Sequence, residues 1–135
     1  MTVFVDTSAL MTLLDRGDPR HDATVAAWDS VAETADLLTS NYVAVESFAL
    51  AQSRMGMAAL RALCTDILPA MEVAFVTSEE HAASLGTVLA ADRRRLSFVD
   101  CSSFEMMRRR GIRTALALDR DFARQGFRVL PEPPV

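Results

Sequence analysis

The stretch Thr2-Val3-Phe4-Val5-Asp6-Thr7-Ser8-Ala9-Leu10 decides the fold class. Val3-Phe4-Val5 is a continuous apolar run, the pattern of a short strand covered on both faces. The run stops on a carboxylate. Thr7 or Ser8 can then cap a helix that begins near Ala9 and continues to about Leu14. A strand feeding straight into a helix is the start of a βαβ unit. Asp6 at that junction has two readings: it caps the helix, or it faces a site at the carboxyl end of the strand.

Outward from there the same alternation repeats. Asp18 and Pro19 open a second helix to about Glu33, after Arg16-Gly17 breaks the first. Asp36–Thr39 reads as a strand, and Ser40 or Asn41 caps a third helix that Gly56 stops after Met55. Residues 57–68 form a fourth helix closed by Pro69, and Glu72–Val76 a third strand. Thr77-Ser78-Glu79-Glu80 fits a capping box that opens a helix to about Ala91. Ser97 caps another, with Asp100 in its first turn and Gly111 at its end. Thr114–Leu118, a short helix near Asp121–Arg124 and a strand near Phe127–Leu130 complete the chain. Strands alternating with helices predict a three-layer α/β fold, a mostly parallel sheet with helices on both faces. The strand order 3-2-1-4-5 would bring Asp6 and Asp119 together. Residues 1–135 read as one domain, with Pro131–Val135 a loose tail.

Composition narrows the chemistry. All 14 basic residues are arginine, so a Walker A lysine and a Schiff-base lysine are both excluded. His21 and His81 lie in polar stretches, where solvated helix surface is the expected reading. A histidine-based zinc site or a Ser-His-Asp triad is therefore poorly supported. Cys64 and Cys101 lack metal-type spacing and read as reduced, partly buried thiols. No apolar run is long enough to span a bilayer, and no basic stretch precedes the first apolar residues, so a cytoplasmic location is expected. The formal net charge is −4, yet Arg93, Arg94, Arg95, Arg108, Arg109, Arg110 and Arg113 crowd one stretch against Asp100 and Glu105. Such a run is either a solvated rim or a phosphate-binding surface.

Four acids stand on apolar segments: Asp6, Glu46, Asp100 and Asp119. Carboxylates are costly to bury unless paired or bound to a metal. Together they predict one assembled, oxygen-rich site suited to Mg²⁺ or Mn²⁺. Each also has a plainer reading. Asp100 can be a helix-start residue, Glu46 can pair with an arginine, and one of Asp119 and Asp121 can be a turn or cap residue.

At these residues the chain resembles PIN-domain ribonucleases. Asp6-Thr7-Ser8-Ala9-Leu10 is similar to the family's opening, and Glu46 matches its second acid. Ser97-Phe98-Val99-Asp100 resembles its third acidic motif, and Ala117-Leu118-Asp119-Arg120-Asp121-Phe122 with Gly126-Phe127 its closing one. The similarity covers essentially the whole chain and is greatest to VapC-type toxins of type II toxin–antitoxin pairs. It implies that Asp6, Glu46, Asp100 and Asp119 hold one or two Mg²⁺ or Mn²⁺ ions, with Asp6 and Asp100 foremost as direct ligands. It makes Ser8 a supporting residue and Asp121 an outer or substrate contact. It further implies RNA hydrolysis leaving a 5′-phosphate and a 3′-hydroxyl, a small inhibitory antitoxin of the VapB kind, and a homodimer. Arg93, Arg94, Arg95, Arg108 and Arg109 are then candidates for nucleic-acid binding. Met55, Met57, Phe48 and Leu60 are core, or part of a groove for a partner helix.

Other readings compete. A HAD-type phosphatase expects Asp-x-Asp where this chain has Asp6-Thr7-Ser8, and a receiver domain expects a late lysine that it lacks. A PIN-like module that only binds RNA or serves as a scaffold, and a DNA-directed nuclease of the same fold, remain the alternatives.

Overall fold

The computed structural model describes residues 1–133. Its centre is β1 (Thr2–Val5), where Val3, Phe4 and Val5 are wholly buried, as a strand packed on both faces must be. β1 pairs in parallel with β2 (Asp36–Ser40) on one side and β4 (Thr114–Leu116) on the other. β3 (Glu72–Ala74) and β5 (Arg128–Leu130) extend the two flanks, giving the all-parallel order β3-β2-β1-β4-β5. The chain order reverses between β1 and β4. In open parallel sheets, ligands bind at the carboxyl ends of the strands at such a reversal.

The helices are α1 (Thr7–Leu14), α2 (His21–Ala32), α3 (Asn41–Leu50), α4 (Met57–Ala62), α5 (Ser78–Ala91), α6 (Phe98–Arg110) and α7 (Arg120–Arg124). Beneath α7 the core is aromatic. Phe104 meets Phe122 edge-on with centroids 4.9 Å apart, and Phe4 and Phe127 flank the pair.

Several boundaries differ from expectation for local reasons. α1 begins at Thr7 because Asp6, rather than Thr7 or Ser8, is its cap. α2 begins at His21 because Asp18 Oδ1 accepts from Arg20 N at 2.8 Å, holding Pro19 and Arg20 in a turn. β3 is short because the Val76 N–H donates to Asn41 Oδ1. β4 is short because the Leu118 N–H donates to Ser8 Oγ, away from the sheet. After α3, residues Ala51–Met55 wind into a π turn that ends at Gly56, whose φ of 97° glycine adopts at little cost. A second π turn (Leu63–Ile67) and a 3₁₀ turn (Leu68–Ala70) follow α4, where a single helix is expected. Pro131–Pro133 carry no regular structure, and Pro134 and Val135 of the expected tail lie outside the described residues.

His21 is half-buried and donates from Nδ1 to Thr12 O, unlike the solvated residue expected. Cys101 is buried and Cys64 exposed, both as free thiols. Phe48 packs on the core, whereas Met57 is 46% exposed. Among the described residues no helix is long and apolar enough to cross a membrane.

Candidate active site

Three helix N-termini converge at the carboxyl end of the sheet, and one of the acids takes part in the capping of each. Asp6 caps α1: its Oδ2 accepts from Ser8 N at 3.1 Å and from Ser8 Oγ at 2.6 Å. Asp100 completes a capping box on α6 with Ser97. Asp119 caps α7, its Oδ1 accepting from Asp121 N at 2.9 Å. The cap reading therefore leaves the site reading open, because a cap needs only one oxygen of each carboxylate. Each uses one oxygen locally, while Asp6 Oδ1, Asp100 Oδ1 and Asp119 Oδ2 take no hydrogen bond among the described residues.

Ser8 ties the site together. Its hydroxyl donates to Asp6 and accepts from the Leu118 N–H at 2.9 Å, linking β1 to the end of β4. A cleft of about 530 Å³ opens here, lined by Asp6, Ser8, Glu46, Asp100 and Asp119. Glu46 reaches it from α3, half-buried and without an ion pair among the described residues. Asp121 lies beside this group. One carboxylate oxygen each of Asp100, Asp119 and Asp121 falls within a 4.8 Å span. Arg124 at 3.2 Å and Arg93 at 3.6 Å both reach the same Asp121 oxygen.

The electrostatics are strained in one sense only. Burial pushes Asp6 up to about 6, against the hydrogen bonds from Ser8 and with help from the Asp119 charge. Burial and the neighbouring Asp6 and Asp119 charges push Asp100 up to about 7. Helix N-termini favour negative charge, yet here they do not offset the crowding. The donor set is all oxygen, and its spacing suits a cation that takes oxygen ligands at about 2.1 Å. The residues present therefore fit a divalent metal.

The basic residues divide. Arg93 reaches the acids through Asp121, and Arg94 and Arg95 are exposed in the link between α5 and α6. Arg108 and Arg109 sit at the far end of α6, at the amino ends of the strands. There Arg108 binds Gln125 and covers the Phe127 ring, while Arg109 pairs with Glu105 at 2.6 Å.

Two arginines unmarked by sequence reasoning, Arg20 and Arg54, line the cleft itself. Arg54 follows Glu46 by eight residues and Leu50 by four, a spacing that keeps it on their side of the helix, about 80° round from Glu46. The π turn at Ala51–Met55 winds back toward the face that carries Glu46 and Leu50.

A family model described as the PIN domain matches residues 3–128. The chain is a PIN domain of the VapC group. VapC20 of Mycobacterium tuberculosis, a 23S rRNA-specific endonuclease, is 36% identical over 132 residues, covering 96% of this chain and 99% of its own. Its crystal structure, that of a sarcin–ricin loop cleaving toxin, matches this PIN domain with a TM-score of 0.85 at 34% identity, over 98% of this chain and 99% of that one. Ribonuclease VapC26 of the same organism is 30% identical, over 87% of each chain. FitAcB of Neisseria gonorrhoeae shares the fold with a TM-score of 0.69 at 16% identity, over 96% of each chain.

Proposed function

We propose that this PIN domain is a Mg²⁺- or Mn²⁺-dependent endoribonuclease, the toxin half of a toxin–antitoxin pair. One observation carries the reading. Asp6, Asp100 and Asp119 converge from three elements on one cleft, and burial together with the neighbouring carboxylates raises the pKa of Asp6 and Asp100. Residues kept only for structure gain nothing from that repulsion. Nuclease activity follows from the family and from the ribonuclease relatives.

Asp6, Asp100 and Asp119 would hold the ion, since each keeps a carboxylate oxygen that its helix cap does not use. Asp121 completes the cluster while steadying Arg93 and Arg124 at its edge. Glu46 faces the same cleft from α3, where it can orient a water. Ser8 fixes the rotamer of Asp6. A bound divalent ion supplies neutralisation of the anionic phosphodiester and a lowered pKa for its water. The cleft arginines Arg20 and Arg54, with Arg93, Arg94 and Arg95, hold RNA phosphates against an otherwise repellent acidic surface. Arg108 and Arg109 stand farther along α6, where only a long RNA would reach them. Hydrolysis leaves a 5′-phosphate and a 3′-hydroxyl. A cognate VapB-like antitoxin covers the cleft, the chain pairs as a homodimer, and it acts in the cytoplasm.

The test is incubation of purified, antitoxin-free protein with ribosomal RNA under Mg²⁺, Mn²⁺ or EDTA, beside Asp6→Asn. Large-subunit RNA is the first substrate to try, given the description of VapC20. Metal-dependent cleavage absent from the variant is expected. Cleavage that survives EDTA and Asp6→Asn contradicts the reading. Binding without cleavage would make the domain an RNA-binding module.

A further inference from the structure

We propose that Tyr42, His81 and Phe98 form a stacking platform for an unpaired nucleobase of the RNA strand engaged in the adjacent cleft. The inference rests on the ribonuclease reading above. The three rings come from the first turns of three helices, α3, α5 and α6. Tyr42 and Phe98 lie 5.7 Å apart by centroid, His81 and Phe98 5.2 Å, and Tyr42 and His81 5.9 Å. The Tyr42 hydroxyl also hydrogen-bonds His81 Nδ1, locking the two rings together.

This is not ordinary core. His81 is exposed, and Tyr42 and Phe98 are only half-buried, whereas Phe4, Phe104 and Phe122 carry the aromatic core elsewhere. Phe75 stands 73% exposed on the same edge, one residue before the N–H that Asn41 holds. The cluster is continuous with the cleft. Tyr42 precedes Glu46 by one turn of α3, and Phe98 follows Ser97, which lines the cleft beside Asp100.

The occupant follows from what the cleft itself addresses. Its acids and arginines act on phosphate alone, so a contact with the bases must come from a surface beside them. Base–aromatic stacking supplies it, tolerates any base, and requires the base to be unpaired. The mixed ring faces and the polar hydroxyl–imidazole edge suit a flat heteroaromatic ring better than an aliphatic surface.

The test uses the full chain with a fluorescent single-stranded oligouridylate and a strand of equal length lacking all bases, followed by anisotropy. Tyr42→Ala and His81→Ala should each weaken binding of the base-bearing strand by roughly tenfold and leave the baseless strand unchanged. Tyr42→Phe, which keeps the ring and loses only the bond to His81, should weaken that binding less than Tyr42→Ala does. Equal affinity of the parent for the two strands, or equal weakening of both by the variants, overturns the platform. So does loss of self-association in Tyr42→Ala without loss of RNA binding, which would assign the patch to a second copy. Should Tyr42→Ala fail to fold, photo-crosslinking of a 4-thiouridine strand to the parent decides. Adducts on Tyr42, His81 or Phe98 support the platform, and adducts only elsewhere refute it. Intact cleavage with base-independent binding refutes the platform alone. Base-dependent binding without any cleavage refutes the ribonuclease reading alone.

Discussion

The two ends of the sheet handle charge in opposite ways. At the amino ends of the strands, Arg108 is held by Gln125 and Phe127, and Arg109 by Glu105. These two cations each have a partner within reach on the same or a neighbouring element. At the carboxyl ends, Asp6 and Asp100 crowd Asp119, and both stay protonated to unusually high pH. Helix caps absorb one oxygen of each acid and leave the other without a hydrogen bond among the described residues. Charge that is satisfied locally stabilises or decorates; charge left uncompensated at a topological reversal marks the place where a ligand must complete the structure.

Substitutions at the two ends break this contrast most sharply. Asp100→Asn or Asp119→Asn should lower RNA cleavage more than about a hundredfold, exceeding the 10–100-fold typical of residues that only orient ligands. Arg108→Ala or Arg109→Ala should change it by no more than about twofold, since exposed pairs contribute little. Initial rates on one RNA substrate measure both. Equal losses at the two ends would erase the distinction.

Ser8 sharpens the comparison within the acidic end. Ser8→Ala removes the hydroxyl that holds Asp6 and leaves the Leu118 N–H without its acceptor. Activity should fall about 10–100-fold, as for other residues that orient ligands, with a stability loss of about 1–2 kcal/mol. Rates and denaturant melts separate the two effects.

Stability against pH reads the crowding directly. The folded pKa of Asp6 is about 6 and that of Asp100 about 7, both above the ordinary 3.8. The folded state therefore binds more protons than the unfolded chain between those values. The contribution is fully present below about pH 4 and is lost as pH rises through 7. In EDTA the Tm should fall between pH 5 and pH 8. Asp6→Asn should recover up to about 3 kcal/mol at pH 8, its two-unit shift converted at about 1.4 kcal/mol per unit. A flat Tm profile in EDTA, unchanged by Asp6→Asn, would show that the acids do not repel one another.

Much of this was legible in the sequence because it is local. Strand-then-acid-then-cap can be read within ten residues, and the order of strands and helices implied the sheet. Asp6, Thr7 and Ser8 were all open as the cap of α1, since all three residue types are capable caps, and the fold selects Asp6. The recruitment of Ser8 by Leu118, and of Asn41 by Val76, depends on contacts between distant segments and left no periodic trace. Arg54 went unmarked for a different reason: an arginine near a helix end reads as solvated surface, and only the folded cleft shows that it lines the site with the acids. The arginine run 93–113 stood out as one block, but the fold splits it between opposite ends of the sheet.

A divalent cation held at the carboxyl end of the sheet is measurable by calorimetric titration of Mn²⁺ at pH 6.5, in two buffers of different ionisation enthalpy. Saturable binding with net proton release is expected, because Asp6 and Asp100 are partly protonated there. Both binding and release should be lost in Asp6→Asn/Asp100→Asn and kept in Arg108→Ala. No binding by the folded parent, or binding undiminished in the double variant, would contradict a cation held there.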